Sequence, residues 1–348
     1  MKPEYPHLRI HGGPDQAGVP AHDFSTNSNA CGPSPHALAA VTQADPTQYP
    51  DAAYTDLRQQ LAAFHKVDSR RIVLAASASE FIFRITSLVS QRGGKSVSLP
   101  THSYGDYAHA ASAFAMEVVR EEVPAPLRWS CDPSSPLGVA DERLQGIVGT
   151  QAAGVIVVLD RAYEPLRLEG ALHLPDVLLQ KTWQLWTPNK ALGLTGVRAS
   201  YAIAPLESDA DVQAMDALCP SWPVGSHGVA MLQAWTQPDV QAWLAGSLHT
   251  LREWKARQIA ICESLGWTVR PSRANFFVCH TGLDPVSMTA SVRGLRIESA
   301  MTALRAHGIK LRDCASFGLP GHVRVSVQSP EAQAALHNAW QAITRKTA

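Results

Sequence analysis

A lysine that could act as a nucleophile lies in a short polar turn of this chain. Lys190 belongs to the segment TPNKALGLTGVR, residues 187–198, in which a glycine-containing loop separates it from Arg198. A lysine amine can form an imine with a carbonyl compound, and an arginine can bind a phosphate group. Most lysines in loops are merely solvated, so the meaning of Lys190 depends on the residues that accompany it.

A carboxylate follows the apolar run 155–159. Asp160 comes directly after that run, and Tyr163 follows three residues later. At the carboxyl end of a buried parallel strand, Asp160 would lie where α/β sheets bind their ligands. The alternative is that Asp160 caps the next helix, which is a common use of an aspartate at that position.

A helix start is expected after the apolar run 72–74. Ser77 and Glu80 have the spacing of a capping box, so a helix should begin there and point its positive dipole end outward. Such an end can bind phosphate, although most capping boxes only cap. An imine-forming lysine, a carboxylate for a protonated ring nitrogen, and a helix end with an arginine for phosphate together meet the requirements of pyridoxal 5′-phosphate (PLP).

Short apolar runs alternate with amphipathic stretches along most of the chain, which is typical of an α/β protein. They predict a mostly parallel sheet with helices on both faces, with strands at 72–74, 96–99, 154–160, 182–186 and 198–204. Near residue 238 the pattern changes, and it predicts short strands at 275–280 and 322–327 with helices at 297–307 and 330–343. We therefore expect an N-terminal arm (1–45), a large domain (46–237) and a smaller α+β C-terminal domain (238–348).

The composition favours a small-molecule enzyme. With 30 basic and 30 acidic side chains in 348 residues, the chain lacks the positive charge of a non-specific nucleic-acid binder or a membrane-surface protein. The polar start MKPEYPHLRI does not resemble a signal peptide, and no apolar run is long enough to span a bilayer, so a cytoplasmic location is expected. Six scattered cysteines without CxxC spacing indicate reduced thiols, with neither a disulfide framework nor a metal site.

These motifs resemble those of the fold-type I PLP enzymes of aminotransferase class I/II. The similarity is to the group that contains histidinol-phosphate aminotransferase and L-threonine-O-3-phosphate decarboxylase, and it runs through nearly the whole chain. It rests on DFSTNSN (23–29) with GPSP (32–35), YPDAAY (49–54), TPNK (187–190) and LRDCASFGLPGHVRV (311–325). The resemblance implies the PLP-dependent transferase fold.

The resemblance also implies a role for each candidate residue. Lys190 becomes the residue that forms the Schiff base with PLP. Asp160 becomes the partner of the cofactor's ring nitrogen, and Tyr163 becomes the partner of its phenol oxygen. Tyr49 is implied to reach the cofactor phosphate of the neighbouring subunit, which implies a homodimer. The residues implied around the cofactor phosphate are Ala78, Ser79, Thr187, Asn189 and Arg198. Those implied for the substrate are Arg324 as the main carboxylate ligand, Arg312 as the second, and Asn29 in the N-terminal substrate segment.

The chain departs from the family pattern at several motifs. DRAY (160–163) stands where the family has a DEAY-like motif. DPSSPLG (132–138) stands for an NPTG-like loop, so Ser135 replaces the asparagine that donates to the cofactor's ring oxygen, and a water could bridge the gap. Tyr104 best matches the aromatic that stacks on the cofactor ring, but the alignment needs a two-residue shift after Pro100. His102 therefore stays open as an alternative.

The resemblance implies a PLP-dependent aminotransferase that acts on a small, phosphorylated amino acid or amine, as histidinol-phosphate aminotransferase does. The alternative is a decarboxylase similar to the L-threonine-O-3-phosphate decarboxylase of cobalamin biosynthesis. It is favoured by HGG (11–13), by residues 49–54 and by RANF (273–276), and in that enzyme the residue matching His11 lies near the substrate phosphate. A third hypothesis is a binding protein without turnover. It is disfavoured because the chain keeps Lys190, Asp160, Arg198 and Arg324 together.

Overall fold

The computed structural model describes residues 11–120, 123–283 and 296–345. These residues form thirteen β-strands and eleven α-helices. The strands are β1 (His22–Asp23), β2 (Ile72–Ala75), β3 (Ser96–Leu99), β4 (Glu117–Arg120), β5 (Leu127–Cys131), β6 (Ile156–Asp160), β7 (Trp183–Trp186), β8 (Ser200–Ile203), β9 (Thr268–Val269), β10 (Phe276–His280), β11 (Ile309–Lys310), β12 (Arg312–Asp313) and β13 (His322–Ser326). The helices are α1 (Pro35–Gln43), α2 (Thr55–His65), α3 (Ala78–Gln91), α4 (Gly105–Ala113), α5 (Leu144–Gly149), α6 (Asp176–Leu179), α7 (Asp209–Ala217), α8 (Ser226–Trp235), α9 (Pro238–Ser264), α10 (Ile297–Ala306) and α11 (Pro330–Arg345).

A seven-stranded sheet forms the centre of the larger of two compact units, which contains residues 28–252 and 273–275. Its strand order is β2-β8-β7-β6-β5-β3-β4, in which β8 is antiparallel to both neighbours and the other pairs are parallel. The predicted α/β fold with a mostly parallel sheet is confirmed, and so are its five predicted strands. The sequence pattern missed β4 and β5, because β4 has the charged ends Glu117 and Arg120 and β5 carries Arg128 among its apolar residues.

The central strands of this sheet are buried on both faces. Every residue of β2, β6, β7 and β8 is buried, which explains why β2 and the part of β6 before Asp160 are continuous apolar runs. The helices bring Phe81, Ile82 and Ile85 of α3 and Tyr107 of α4 into the same core, where Trp129 and Trp183 of the sheet also lie. Close packing of this kind fixes the positions of the strand ends, where the functional residues follow.

The second compact unit contains the described residues within 11–27, 253–272 and 276–345. Four of its strands form an antiparallel sheet in the order β12-β13-β10-β9, and β1 pairs in parallel with β11. The strands predicted near 275–280 and 322–327 are confirmed as β10 and β13. The helices predicted near 297–307 and 330–343 are confirmed as α10 and α11.

The boundary between the two units falls inside α9, which is continuous from Pro238 to Ser264. The change of pattern near residue 238 therefore coincides with the start of this helix. The division into 1–45, 46–237 and 238–348 stays a prediction. Among the helices in the described ranges, none has the length and apolar character needed to cross a membrane.

Candidate active site

An open cavity with about 600 Å³ of empty space lies in the larger unit. It is lined by Ser77 and by ten residues to which the family resemblance gave a role at the cofactor: Ala78, Ser79, Tyr104, Ser135, Asp160, Tyr163, Thr187, Asn189, Lys190 and Arg198. His102, the alternative to Tyr104, is not among the lining residues of the described chain. The structure thus brings together residues from five separate stretches of sequence.

The parallel strands explain why these residues meet. Asp160 is the last residue of β6, Ser135 lies in the loop after β5, and Lys190 lies in the turn after β7. The carboxyl ends of neighbouring parallel strands share one edge of the sheet, which is where such sheets bind ligands. Helix α3 begins beside the same edge, and the Ser77 hydroxyl accepts the Glu80 N–H at 3.2 Å. The predicted helix start is therefore confirmed.

The turn that carries Lys190 is held by a segment from the beginning of the larger unit. The Asn29 N–H donates to the Lys190 carbonyl at 2.9 Å, and the Ser34 N–H donates to the Leu192 carbonyl at 2.9 Å. Gly193 has a φ of +69°, and a Cβ there would lie 2.5 Å from the Gly32 carbonyl oxygen. Only glycine fits such a close approach with this backbone conformation.

The Lys190 amine lies on the cavity wall between a hydroxyl and an aromatic ring. Its Nζ atom is 3.4 Å from Thr187 Oγ1 and 5.6 Å from the centre of the Tyr163 ring. The side chain is partly exposed, so a small molecule in the cavity could reach the amine. This is the geometry that a lysine nucleophile requires.

Asp160 supplies a buried carboxylate to the cavity, with 5% of its surface exposed. Its Oδ2 atom accepts the Tyr107 hydroxyl at 2.6 Å and its Oδ1 atom accepts the Ala162 N–H at 2.8 Å. Burial raises the pKa of Asp160, while the two hydrogen bonds and the Lys190 cation act in the opposite direction. A cationic group bound beside Asp160 would favour its ionised form further.

The residues at the start of α3 are linked to the start of α4. The Ser79 hydroxyl donates to Asp106 Oδ2, and the Tyr104 hydroxyl donates to the same atom at 2.8 Å. Burial, followed by the Asp106 charge, raises the pKa of Tyr104, which therefore stays protonated. On another part of the cavity wall, Asn189 Oδ1 is buried and has no hydrogen-bond partner among the described residues.

The profile of the family "Aminotransferase class I and II" matches residues 20–343. The chain belongs to this family. It is a PLP-dependent enzyme with the PLP-dependent transferase fold, as the sequence motifs implied.

Relatives and structural neighbours of this aminotransferase-family chain include two kinds of enzyme. Histidinol-phosphate aminotransferase of Symbiobacterium thermophilum is 26% identical over 366 residues, with 95% of this chain and 93% of the relative covered. The structure of histidinol-phosphate aminotransferase from Sinorhizobium meliloti with PLP gives a TM-score of 0.77 at 22% identity, covering 93% of this chain and 90% of that one. L-threonine-O-3-phosphate decarboxylase from Porphyromonas gingivalis gives a TM-score of 0.73 at 19% identity, covering 92% and 99%.

The cavity of this class I/II family member suits PLP. It combines a reachable lysine amine, a buried carboxylate, hydroxyl groups at a helix start and an exposed arginine, Arg198. The lysine amine matches the aldehyde of PLP and the carboxylate matches its pyridinium nitrogen. The hydroxyl groups and the arginine match its phosphate. The unpartnered Asn189 Oδ1 is a further polar atom that a bound molecule or a water could satisfy.

Besides His102, two candidate residues of the larger unit are not among the cavity-lining residues of the described chain. Tyr49 is 79% exposed and stacks on Trp222 with ring centres 4.5 Å apart. Asn29 is 3% exposed, and its amide group donates to the Ala191 carbonyl at 3.0 Å and to Ser247 Oγ at 2.8 Å. The Asn29 side chain therefore supports the Lys190 turn through Ala191.

The candidate substrate arginines lie in the second unit. Arg312 of β12 and Arg324 of β13 are directly opposite each other, and both are buried. Arg324 donates to the Ser25 carbonyl at 3.1 Å, and Arg312 donates to Ser316 Oγ at 2.8 Å. Burial, and secondly the Arg324 charge, lower the pKa of Arg312. His11, in the same unit, is exposed.

Sequence reasoning missed Tyr107, which contacts the Asp160 carboxylate. Tyr107 is fully buried, and a buried aromatic residue in a helix normally indicates core packing. A signal was available, because Tyr107 lies one helical turn after Tyr104. Its partner, however, is 53 residues away in the chain, and no local pattern indicates a contact at that distance.

Proposed function

We propose that this chain is a PLP-dependent aminotransferase that acts on a small, phosphorylated amino acid or amine, in the manner of histidinol-phosphate aminotransferase. The observation that carries the proposal is the presence of the Lys190 amine, the Asp160 carboxylate and the Tyr163 ring in one cavity of a class I/II family member. The relative from Symbiobacterium thermophilum named above, a histidinol-phosphate aminotransferase, supports the substrate class.

Each cavity residue would have a separate task. PLP, when bound, supplies an electron sink for the electron pair released at the substrate Cα. Lys190 would bond to the cofactor and, once free, would move a proton from the substrate Cα to the cofactor carbon. Asp160 would hold the ring nitrogen protonated, and Tyr163 and Ser135 would bind the ring oxygen. Tyr104 would stack on the ring.

The phosphate of PLP would bind at the start of α3. Ala78 and Ser79 would offer backbone and hydroxyl donors there, because a helix N-terminus attracts anions. Arg198, Thr187 and Asn189 would complete this binding site. The substrate carboxylate would bind Arg324 and Arg312, because an anion relieves the repulsion between two buried guanidinium groups. Asn29 would affect the substrate indirectly, because its side chain holds the turn that carries Lys190.

A second candidate function is the decarboxylation of a phosphorylated amino acid. It is favoured by the HGG segment, in which Gly12 is packed so that a Cβ would lie 2.2 Å from the Ser25 carbonyl oxygen. Because only glycine fits at position 12, the backbone next to His11 is held close to Ser25. His11 would bind the substrate phosphate from there. In this case the substrate carboxylate would be oriented as the leaving group.

We also propose a cytoplasmic homodimer in which Tyr49 completes the partner's cofactor site. Tyr49 and Trp222 form an exposed aromatic pair, and the Trp222 Nε1–H donates to the Pro50 carbonyl at 3.1 Å. Mixing Tyr49→Phe and Lys190→Ala chains tests this, because a mixed dimer has one site with both residues intact. Activity should return on mixing. Two inactive variants that stay inactive after exchange of subunits would contradict the dimer site.

Incubation with candidate substrates tests the main proposal. The purified holoenzyme is given L-histidinol phosphate with 2-oxoglutarate, and separately L-threonine O-3-phosphate, and glutamate and carbon dioxide are measured. Glutamate formation supports the aminotransferase, and carbon dioxide alone supports the decarboxylase instead. Lys190→Ala serves as the control and should abolish either product. If wild type forms neither product with these or other phosphorylated amino compounds, both proposals fail.

A further inference from the structure

A buried tyrosine contacts the carboxylate of the cavity. The Tyr107 hydroxyl donates to Asp160 Oδ2 at 2.6 Å, and the Ala162 N–H donates to Oδ1 at 2.8 Å. Both donors are neutral, so neither cancels the negative charge of Asp160. Asp160 lines the cavity, whereas Tyr107 lies behind it in the core.

The ring of Tyr107 is fixed by its aromatic neighbours. It stacks on Trp129, with ring centres 4.3 Å apart and planes 15° from parallel. It also meets Tyr104 edge to face, with centres 5.8 Å apart and planes at 86°. Tyr107 and Trp129 are both fully buried, and rotation of either ring would open a void in a close-packed core. The hydroxyl is therefore held in one position against Asp160.

We propose that Tyr107 is a positioning residue that keeps Asp160 ionised and oriented toward the ring nitrogen of PLP. This inference rests on the role of Asp160 given under the proposed function. A hydrogen bond to an ionised carboxyl favours the ionised form. It therefore opposes burial, which raises the pKa of Asp160. Two other titratable groups interact with Asp160: the Lys190 cation, which also favours its charge, and the buried Cys131 thiol.

The first test compares Tyr107→Phe with a matched control, Tyr201→Phe. Tyr201 is also fully buried, and its hydroxyl also makes hydrogen bonds, accepting the Trp235 Nε1–H at 3.1 Å and lying 2.7 Å from His65 Nε2. It does not line the cavity. Both variants lose one buried hydroxyl, so a merely structural effect would lower the melting temperature of both.

Two readouts other than activity separate the variants. Tyr107→Phe should weaken PLP binding about tenfold, the scale of a lost hydrogen bond to a charged group. It should also move the midpoint of the pH-dependent absorbance change of bound PLP to higher pH, because a less firmly protonated ring nitrogen holds less positive charge. Tyr201→Phe should change neither. Equal changes in both variants, or none in Tyr107→Phe, would overturn the inference.

A double-mutant cycle with Asp160→Asn separates this inference from the proposed function. If Tyr107 acts through Asp160, Tyr107→Phe should have no further effect on PLP affinity in the Asp160→Asn background. Additive losses would show that Tyr107 acts by another route. If Asp160→Asn itself leaves PLP affinity and absorbance unchanged, the role of Asp160 fails. If Asp160→Asn changes PLP affinity and absorbance and Tyr107→Phe changes neither quantity, only the inference about Tyr107 fails.

A second variant covers the case in which Tyr107→Phe does not fold. Site-specific 3-fluorotyrosine at position 107 keeps the ring and the hydroxyl but makes the phenol a stronger donor. The absorbance midpoint should then move to lower pH, opposite to the change expected for Tyr107→Phe. A midpoint that stays at the wild-type value would overturn the proposal. Lost packing could not account for that result, because this variant keeps the ring.

Discussion

Asp132, directly after β5, and Asp160, the last residue of β6, lie at the ends of neighbouring strands and are both buried, yet their partners differ in charge. Asp132 forms an ion pair with Arg167, with 2.6 Å between Oδ1 and Nη2. Asp160 accepts hydrogen bonds from a tyrosine hydroxyl and a backbone N–H. The backbones are joined as well, because the Asp132 N–H donates to the Asp160 carbonyl at 3.2 Å. Two carboxylates at nearly the same level of one sheet thus differ in their hydrogen-bond partners, which include a cation at Asp132 and are neutral at Asp160.

The difference indicates which carboxylate can accept a ligand. The Asp132 charge is balanced by a cation of the protein, and a second cation would gain little from it. The Asp160 charge has only neutral donors as hydrogen-bond partners among the described residues, so a protonated ring nitrogen can interact with it strongly. Burial is therefore common to both carboxylates, and the charge of their partners is what distinguishes them.

The ion pair of Asp132 continues into a chain of charges. Arg167 also pairs with Glu164 at 2.6 Å, and Glu164 pairs with Arg161 at 3.3 Å. The Arg161 guanidinium lies 4.2 Å from the centre of the Trp186 ring and donates to Gln184 Oε1 at 3.0 Å. This explains how an arginine is accommodated in the DRAY motif, because its charge is paired with Glu164 and Arg161 is not among the cavity-lining residues of the described chain.

The largest expected effect removes the Asp160 charge. Asp160→Asn keeps the shape of the side chain but cannot stabilise a protonated ring nitrogen, so kcat/KM should fall by about 1,000-fold, the upper scale for one preorganised charge interaction. Steady-state kinetics at saturating PLP measure this change. A variant with nearly wild-type kcat/KM would show that Asp160 is not the cofactor's partner.

The matched substitution at the other carboxylate should affect stability instead. Asp132→Asn leaves Arg167 buried with one partner fewer, so the free energy of unfolding should fall by roughly 3 kcal/mol. PLP affinity should change little. Urea denaturation and PLP titration of the same preparation test both statements. The comparison fails if Asp132→Asn weakens PLP binding as much as Asp160→Asn does.

The raised pKa of Asp160 should give the PLP-free protein a specific pH dependence. Folded Asp160 holds its proton more tightly than an unfolded aspartate, whose pKa is about 3.9. The folded state therefore binds more protons between that value and the raised one, and stability falls as the pH rises through this interval. Below about pH 4 the difference in Tm between wild type and Asp160→Asn should be constant. Above it the wild type should lose stability relative to the variant, and a difference that is constant at every pH would contradict this.

The smallest effect is expected at the far end of the charge chain. Arg161→Gln removes the contact with Trp186 and the pair with Glu164, which together should cost about 1 kcal/mol. Arg161→Glu, which restores the acid of the DEAY-like pattern, should cost more because it places a second carboxylate beside Glu164. Thermal unfolding ranks the two variants. A more stable Arg161→Glu protein would show that the charge chain does not stabilise this loop.

Sequence patterns predicted the parts of the fold that depend on local composition. β2 and the part of β6 before Asp160 are continuous apolar runs because both faces are buried, and Ser77 was recognisable as a helix cap from its spacing to Glu80. Motif resemblance indicated the residues of the cavity. The contacts of Tyr107 with Asp160 and of Arg167 with Asp132 were not predictable, because they depend on side chains 53 and 35 residues apart that meet only in the folded sheet.

The contacts between residues 29–34 and the Lys190 turn also have a consequence for folding during protein synthesis. The contacts join segments about 160 residues apart, as in the bond between Asn29 and the Ala191 carbonyl, and contacts so distant in sequence form slowly. During synthesis the early segment leaves the ribosome long before its partner exists. The Lys190 turn therefore acquires these contacts only after more than half of the chain has been translated, and we expect the proposed PLP site to form no earlier than that.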